Sequence, residues 1–376
     1  MSVRMMWQTL VEEARAVLAP DRRLRVFEVR ADFQDDALRL TGEVHSLELH
    51  QGLLDYLRRH QIDRIADHVT VLPHQDVRPK AHAIVSVSVA NVRFQPSHAA
   101  ELATQVVLGT PVSVLKQVKG TWLLVQTLDG YVGWTDAHVV RCDDEELGRW
   151  IERPKIIITA RCGWSQRRVS DAEESVSDLV QGAVLARLGE SVDHYHVGYP
   201  DGREAYVVKA AAMPLGAWRT ARTTLTLAGI EKTARSYLGI PYLWGGTSTK
   251  AMDCSGFVQL VLFQNGALIE RDADQQMRVG TPVELGPGLD GLAPWDGLFF
   301  SVEDEPSKID HVGLYLGRGA FVHASRDVHL GSLDPTAPDF DALRRRTLVA
   351  ARRFLNGTGG AGLRPLGAIP FFARAP

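Results

Sequence analysis

The sequence predicts a multidomain α+β protein, and three observations support this fold class. The chain has 376 residues, enough for two to four domains. Hydrophobic residues make up 45% of it and charged residues 23%, as in ordinary globular proteins. Three different patterns follow one another: a helix with alternating strands, short strands separated by turn signals, and a loop that leads into an apolar helix and a hairpin.

The first 79 residues predict a small α/β unit. An amphipathic helix, two strands, a second helix and a third strand are predicted at residues 5–18, 25–31, 37–44, 47–60 and 68–72. The stretch LTGEVHSLELHQGLLDYLRR resembles a BON domain. This resemblance implies a packing or docking surface and no chemistry of its own.

Residues 80–145 predict a small β-barrel. Short alternating strands at 84–92, 111–117 and 122–127 are separated by turn signals, and an Asp-Gly turn precedes a last strand. The segments VANVRFQPSHAAELATQ, GTPVSVL, WLLVQ and DGYVGW resemble a bacterial SH3 domain. Residues 150–216 look like a second and more divergent copy of that domain, although the two copies are too dissimilar to form a repeat recognisable by eye.

A cysteine at a predicted helix N-terminus is the first candidate for chemistry. In the stretch PYLWGGTSTKAMDCSG, a loop containing Gly245 and Gly246 leads into the helix. Asp253 is a good N-cap, and Cys254 follows where free amides and the helix dipole favour a thiolate. A lone cysteine is more often a small buried hydrophobic residue, so a catalytic role requires a base.

The candidate base lies in HVGLYLGRGAFVHAS, which predicts a β-hairpin. If residues 317–319 form the turn, His311 lies opposite Ser325 and Gly313 lies opposite His323. Both histidines then project from one face of the hairpin as diagonal neighbours, about 7 to 8 Å apart at the backbone. His311 would take the proton of Cys254, and His323 would fix the orientation of His311. The alternative for a lone histidine is a polar side chain on a solvated strand.

Residues 225–356 resemble the NlpC/P60 cysteine peptidases, which act on bacterial cell-wall peptides with a papain-like α+β fold. The resemblance rests on PYLWGG, DCSGFVQ, ERDADQQ, HVGLYLG and FVHAS, in that order. It implies that Cys254 is the nucleophile, His311 the general base and His323 the third polar residue. The sequence departs from the family at Pro294-Trp295-Asp296-Gly297, where Pro-Gly-Asp is usual, and this puts the local turn in doubt.

The candidate nucleophile and base predict acyl transfer through a thioester, with water as the acceptor. The oxyanion that forms requires hydrogen-bond donors. The backbone N–H of Cys254 is one candidate, and the Tyr242 hydroxyl is a second. Packing in the core is the alternative role for Tyr242.

Bacterial SH3 domains followed by an NlpC/P60 domain resemble γ-D-glutamyl-L-diamino acid endopeptidases of murein peptide recycling. The resemblance implies murein tri- and tetrapeptides with a free N-terminal L-alanine as substrates. It also implies an ammonium pocket formed by Asp253, Ser255, Tyr131 and Glu101. Asp253 could instead act only as an N-cap, and Glu101 and Tyr131 could be a surface residue and a barrel-core residue.

Charge and cysteine content narrow the range of partners and cofactors. The net charge of −3 and the lack of a basic block argue against nucleic acid. Three cysteines without CxxC spacing argue against disulfides and zinc, and His194 with His196 has no evident further ligands. We expect no cofactor and no metal. No run is apolar enough for a membrane helix, and charges in the N-terminal segment argue against a signal peptide, so we expect no membrane association and a cytoplasmic location.

Two other functions are compatible with these motifs. The protein could be a wall-remodelling hydrolase that is exported by another route and acts on polymeric murein. It could also be a wall-binding module with an inactive peptidase domain, although the intact Cys254, His311 and His323 argue against this. Residues 357–376 predict a flexible tail, with Phe371 and Phe372 as possible anchors.

Overall fold

The computed structural model describes residues 3–118, 120–169, 171–286, 288–355 and 363–373. The N-terminal unit packs two helices on a three-stranded sheet of order β1-β2-β3, in which β1 and β2 are antiparallel and β2 and β3 parallel. Its elements are α1 (Val3–Leu18), β1 (Phe27–Gln34), β2 (Ala37–Val44), α2 (Leu47–Arg59) and β3 (Ile65–Val71). The alternating burial along β1 and β2 turns one sheet face towards the helices, as the sequence predicts.

Two β-rich units follow, joined by the helix α3 (Asp144–Glu152). The first contains β4 (His82–Val85), β5 (Val89–Arg93), β6 (Leu102–Val107), β7 (Pro111–Val118), β8 (Trp122–Gln126), β9 (Val132–Thr135) and β10 (Val139–Cys142). The second contains β11 (Lys155–Ile158), β12 (Cys162–Arg168), β13 (Asp171–Val180), β14 (Val184–Glu190), β15 (His194–Gly198), β16 (Glu204–Val208) and β17 (Ala212–Pro214).

The two units have the same strand order. The first sheet runs β10-β4-β7-β8-β9-β5-β6 and the second runs β17-β11-β14-β15-β16-β12-β13, so each strand has its counterpart at the same place. The strand predicted at residues 84–92 is two strands, β4 and β5. The assignment of the second unit as a bacterial SH3 domain stays a prediction, which the shared order supports.

The C-terminal unit packs helices against a six-stranded sheet of order β21-β26-β22-β23-β24-β25. Its helices are α4 (Leu215–Thr220), α5 (Leu227–Ser236), α6 (Cys254–Gln264), α7 (Ala273–Gln276) and α8 (Ala342–Thr347). Its sheet strands are β21 (Thr281–Val283), β22 (Gly297–Val302), β23 (Glu305–Gly317), β24 (Ala320–Ala324), β25 (Val328–Ser332) and β26 (Leu348–Arg353). Two short ribbons pair β18 (Thr247–Ser248) with β19 (Ala251–Met252), and β20 (Ala267–Leu268) with β27 (Arg364–Pro365).

Helix α6 lies at the centre of this unit. All but one of its eleven residues are buried, and its sequence is apolar on every side, as expected of a helix enclosed by the protein. It packs against Phe299 and Val312 of the sheet and Ile230 of α5. Its first turn lies close to the preceding loop, because a Cβ added to Gly256 would lie 2.1 Å from the carbonyl oxygen of Gly246.

The turn before β22, whose sequence departs from the family pattern, is held by a buried side chain and an ion pair. Trp295 has a φ of 72°, a conformation that favours glycine, and its side chain is buried. Asp296 accepts hydrogen bonds from the backbone N–H of Ala293 at 2.8 Å and from Arg353 at 2.8 and 2.9 Å. The buried indole and this ion pair hold the turn without the usual glycine.

The prediction that the C-terminal tail is flexible is wrong for the tail residues that the structure describes. Residues 363–373 include β27 and the helix α9 (Pro370–Ala373), and Phe371 and Phe372 are both buried. Phe372 packs edge-on against Phe263 of α6, so the sequence correctly identified the two anchors. Apolar burial at the junction of the second barrel and α6 explains the order. Residues 357–362 and 374–376 of the predicted tail lie outside the described residues.

None of the helices in the described part of the chain is long and apolar enough to cross a membrane.

Candidate active site

Cys254 is the first residue of α6, as the sequence predicts. Asp253 caps the helix by accepting the backbone N–H of Gly256 at 2.7 Å. The thiol donates to the carbonyl oxygen of Asp310 at 3.9 Å. Among the described residues this carbonyl, and not the ring of the adjacent His311, accepts the thiol proton, while backbone N–H groups of Val312 and Ser255 act on the sulfur as donors. Hydrogen bonds of catalytic groups are often long in free enzymes and shorten when substrate binds.

The predicted thiolate is not the resting form of this cysteine. Burial and the Asp253 carboxylate raise the pKa of the Cys254 thiol to about 12. Arg271 and nearby backbone N–H groups act in the opposite direction, but they do not outweigh the loss of water around the sulfur. Cys254 is therefore protonated at neutral pH, and a base must take its proton during the reaction.

Three histidines form a hydrogen-bonded chain that begins at His311, the residue after Asp310, whose carbonyl oxygen accepts from the thiol. His311 Nε2 lies 2.7 Å from His323 Nδ1, and His323 Nε2 lies 3.1 Å from His329 Nε2. Gly313 pairs with His323 across β23 and β24, as predicted. The turn has two residues, Arg318 and Gly319, and a β-bulge near residue 316 preserves the predicted register.

The end of this chain determines where each proton lies. His329 Nδ1 lies 2.9 Å from both the carbonyl oxygen and Oδ1 of Asp327, and both oxygens can only accept, so Nδ1 carries the proton. With a neutral His329 ring, Nε2 accepts from His323, and His323 Nδ1 accepts from His311 Nε2. These tautomers leave the lone pair of His311 on Nδ1, the atom free to act as a base.

Both inner histidines are neutral. Burial, Arg344 and the neighbouring histidines lower the pKa of His311 well below its ordinary value. Burial, His329 and Arg344 lower the pKa of His323 to about 3. The thiol of Cys254 and the imidazoles of His311 and His323 are therefore all neutral at rest and do not form a preformed ion pair. His329 is the third histidine of the hydrogen-bonded series, and the sequence did not identify it.

Tyr242 lines the same cleft as Cys254. Burial, Cys254 and Asp253 raise the pKa of the Tyr242 phenol, so its hydroxyl keeps the proton and can donate. The N–H of Cys254 belongs to the first turn of α6, where backbone donors lack partners within the helix. Both predicted oxyanion donors therefore belong to residues that line the cleft.

Asp253 was predicted to place a fixed negative charge where a substrate ammonium could pair with it, and the structure pairs this charge with an arginine. Arg271 binds its carboxylate through two nitrogens at 2.6 and 3.0 Å, and both side chains are buried. The carboxylate also accepts the N–H of Gly245 at 2.8 Å. The capping role is confirmed, and Arg271 balances the charge that was expected to face an ammonium group. Arg271 also donates to Ser255 Oγ at 2.8 Å.

Arg271 belongs to the quoted motif ERDADQQ but was not identified as a site residue. Its burial beside Asp253 depends on contacts between loops that no local pattern reveals.

The first β-barrel contributes Glu101 and Tyr131 to the cleft, as predicted. Glu101 Oε1 accepts the indole N–H of Trp244 at 2.7 Å, and Trp244 is more than half exposed at the rim. The Tyr131 hydroxyl donates to Asp272 Oδ2 at 2.9 Å. The cleft has a volume of about 840 Å³, including the part open to solvent, and its walls come from the barrel and the peptidase-like unit together.

The predicted substrate groups therefore lie in one cleft with the cysteine. Glu101, Tyr131, Tyr242, Asp253 and Ser255 all line it. The His-x-His pair of the second barrel lies elsewhere, where His196 binds Glu204 at 2.8 Å and stacks on Tyr206.

Comparison with known proteins identifies two families within the chain. The NlpC/P60 family matches residues 239–341, and the bacterial dipeptidyl-peptidase SH3 domain family matches residues 92–138. The chain is 30% identical over 233 residues to the γ-D-glutamyl-L-lysine dipeptidyl-peptidase of Bacillus subtilis, which covers 60% of this chain and 73% of the relative. It is 29% identical over 264 residues to dipeptidyl-peptidase 6 of Lysinibacillus sphaericus, covering 68% of this chain and 93% of the relative.

The fold is similar to that of a crystal structure of an NlpC/P60 family protein from Bacillus cereus. The TM-score is 0.62 at 24% identity, covering 73% of this chain and 99% of the other. The sequence comparisons and the fold comparison therefore agree. The chain belongs to the NlpC/P60 family of peptidases and carries a bacterial SH3 domain ahead of its peptidase domain.

Proposed function

We propose that the protein is a cysteine peptidase that hydrolyses the γ-D-glutamyl-L-diamino acid bond of murein tri- and tetrapeptides with a free N-terminal L-alanine. One observation carries the proposal: Glu101 and Tyr131 of the first barrel share a cleft with Cys254. Two relatives are named γ-D-glutamyl-L-lysine dipeptidyl-peptidase, one from Bacillus cereus and one from B. subtilis, and they support the same substrate class.

In the proposed first step, His311 Nδ1 takes the proton of the Cys254 thiol as the sulfur attacks the γ-carbonyl carbon of D-glutamate. The N–H of Cys254 and the hydroxyl of Tyr242 donate to the oxyanion. The C–N bond then breaks, and His311 returns the proton to the leaving amine of the diamino acid. A thioester between Cys254 and L-Ala-D-Glu remains.

In the proposed second step, water attacks the thioester. His311 takes a proton from the water and returns it to the sulfur as the C–S bond breaks. L-Ala-D-Glu leaves with a free γ-carboxyl group, which loses its proton to solvent, and the neutral thiol and imidazole are restored. His323 and His329 keep the accepting lone pair of His311 directed at the reacting atoms through both steps.

The free amino group of the substrate would bind at the barrel side of the cleft. Glu101 is the carboxylate there without a basic partner within the described residues, since it accepts a hydrogen bond from the neutral indole of Trp244. Asp253 is paired with Arg271 and therefore contributes less net charge. The substrate ammonium group would pair with Glu101 and donate hydrogen bonds to Tyr131 and Ser255. Binding in this way would fix the distance from the amine to the cleaved bond.

The barrel wall also bears on substrate size. A cleft closed on one side by Glu101 and Tyr131 accommodates the end of a short peptide more readily than a segment within crosslinked polymer. We therefore favour small murein peptides recovered inside the cell over intact murein, and we propose a cytoplasmic role in cell-wall peptide recycling.

Kinetics on L-Ala-γ-D-Glu-L-Lys and its diaminopimelate counterpart test the proposal. We expect cleavage to L-Ala-D-Glu, strong loss of turnover when the amino terminus is acetylated, and no turnover by Cys254→Ala. Cys162→Ala is the matched control, because this cysteine is exposed on the second barrel.

Equal cleavage of acetylated peptide, or release of fragments from intact sacculi, would favour the exported hydrolase. Turnover by a folded Cys254→Ala variant would refute the proposed nucleophile. Binding of murein without cleavage by the unaltered protein would favour the inactive binding module.

A further inference from the structure

An arginine of the N-terminal unit reaches the peptidase cleft. Arg23 lies in the loop between α1 and β1 and lines the same cavity as Cys254. Its Nη1 binds Asp272 at 2.8 Å and Asp274 at 2.7 Å, and its Nη2 binds Asp274 at 2.8 Å. The guanidinium thus bridges the N-terminal unit and the start of α7.

The loop around Arg23 is fixed at three further points. The carbonyl oxygen of Arg23 accepts the N–H of Val132 in the first barrel at 2.7 Å. Asp21 accepts from Arg23 Nε at 2.9 Å and from Nη2 at 2.8 Å. Asp21 also accepts from the side chain of Gln275 in α7 at 2.8 Å. Arg23 is therefore held before any substrate arrives.

Asp272 connects Arg23 to Tyr131, a residue proposed above to bind the substrate amine. The Tyr131 hydroxyl donates its only proton to Asp272 at 2.9 Å. The Tyr131 oxygen can then only accept hydrogen bonds from a group in the cleft, and an ammonium group is a hydrogen-bond donor. A neutral carboxyl group at Asp272 could instead donate to Tyr131 and reverse this arrangement.

The ionisation of Asp272 depends on its basic neighbours. Burial raises the pKa of the Asp272 carboxyl, whereas Arg271, Arg23 and the Tyr131 hydroxyl lower it and Asp274 raises it. Arg271 is already bound to Asp253 through two hydrogen bonds. Without Arg23, Asp21, Asp272 and Asp274 would converge with only the exposed Arg278, 3.6 Å from Asp274, as a directly paired cation among the described residues. Like charges at this distance repel.

We propose that Arg23 is a positioning residue for amine recognition: it holds Asp272 as an acceptor, and Asp272 in turn keeps the Tyr131 oxygen directed as an acceptor at the substrate ammonium. The inference rests on the proposed function and extends it to the N-terminal unit. Residues 1–91 lie outside both family matches. The N-terminal unit is thereby a part of the substrate pocket and not only a docking surface.

Steady-state kinetics on L-Ala-γ-D-Glu-L-Lys test this role. We expect Arg23→Ala to raise KM about tenfold with little change in kcat, because the contact it supports is made equally in the ground state and the transition state. Arg23→Lys should reverse part of the rise in KM, since lysine restores the positive charge but not the paired hydrogen bonds of the guanidinium group. Arg22→Ala is the matched control, because Arg22 is exposed and binds Glu12, away from the cleft.

A double-mutant cycle with Tyr131→Phe separates this role from a general loss of structure. If Arg23 acts through Tyr131, then Arg23→Ala should raise KM less than about twofold in the Tyr131→Phe background. Full additivity of the two effects would overturn the inference, as would an unchanged KM in Arg23→Ala. Should Arg23→Ala fail to fold, Arg23→Lys and Asp272→Asn give the same test in the same background.

The controls also distinguish the two proposals. Turnover by the unaltered protein with an unaffected Arg23→Ala variant would leave the proposed function standing and remove the role of Arg23. No turnover of the free-amine peptide by the unaltered protein would refute the proposed function, and the inference would fall with it.

Discussion

In the proposed reaction, the carbonyl oxygen of Asp327 would act through three imidazoles. This oxygen fixes the proton of His329 on Nδ1. The hydrogen bonds from His329 to His323 and from His323 to His311 then set the tautomers of those two rings. A catalytic histidine with the wrong tautomer loses most of its activity even when its position is kept. A half-buried histidine 18 residues beyond His311 thus belongs to the machinery without touching the thiol.

We expect His329→Ala to lower kcat by about 10- to 100-fold with little change in KM, because His323 loses the acceptor that orients it. His329→Gln should recover part of this loss by supplying an oxygen acceptor. Steady-state kinetics on the tripeptide measure both variants. His68→Ala, an exposed histidine of β3, should leave kcat unchanged. A wild-type kcat in His329→Ala would show that the third imidazole is a bystander.

The low pKa of His323 predicts that stability falls in acid. The unfolded chain binds a proton at this residue below about pH 6.5, whereas the folded protein does not until about pH 3, so stability is lost as pH falls between these values. From pH 7 to pH 5 the loss from His323 alone is about 2 kcal/mol. Chemical denaturation at both pH values should show a smaller loss in His323→Gln. An equal loss in the two proteins would contradict the buried neutral imidazole.

Helix α6 depends on a close approach between two backbone segments. Gly256 lies in its first turn against the carbonyl oxygen of Gly246, and Asp253 caps the same turn. A side chain at this point has no space without moving either the loop or the helix. The position of Cys254 is thus coupled to the glycine-containing loop before it.

Gly256→Ala should destabilise the protein by about 1 to 3 kcal/mol, because its Cβ would overlap the Gly246 carbonyl oxygen. We also expect reduced kcat, since relief of the overlap displaces Cys254. Denaturation and tripeptide turnover measure the two effects. In the control Gly148→Ala, on α3, the added Cβ meets nothing within 4 Å, so this change should stabilise by about 0.5 to 1 kcal/mol. Equal behaviour of the two variants would contradict the packing argument.

The sequence predicted local structure at the site better than contacts between elements. The cap at Asp253, the start of α6 at Cys254 and the pairing of Gly313 with His323 follow from short-range rules and agree with the structure. His329 and Arg271 were missed because their roles depend on burial and on partners in other loops. The protonation of Cys254 was predicted wrongly because desolvation outweighs the helix terminus, and burial of that degree is not visible in a motif.

Domain order was predictable, whereas the contacts between domains were not. Each unit has its own periodic pattern, and these patterns predicted the order in which the units follow one another along the chain. Arg23 meets Asp272 across 249 residues, and Phe372 meets Phe263 across the tail junction. Contacts at such separations leave no periodicity, so the sequence alone assigned a docking role to the first unit and flexibility to the last residues.

We expect Phe372→Ala to cost about 3 to 5 kcal/mol, because the ring is buried between the tail, the second barrel and α6. Val192→Ala, on a fully exposed turn of the second barrel, should change stability by less than about 0.5 kcal/mol. Thermal or chemical denaturation measures both. A Phe372→Ala variant as stable as the control would mean that the tail does not hold this junction in solution.

A sulfur that stays protonated until a peptide occupies the cleft is spared much of the damage that free thiolates suffer. Peroxides and alkylating reagents attack the anion, and burial keeps both the anion and the reagents away from Cys254. The exposed Cys162 would react first and leave the nucleophile intact. In the proposed mechanism, the desolvation that makes His311 necessary for turnover thus also protects the resting protein against oxidation.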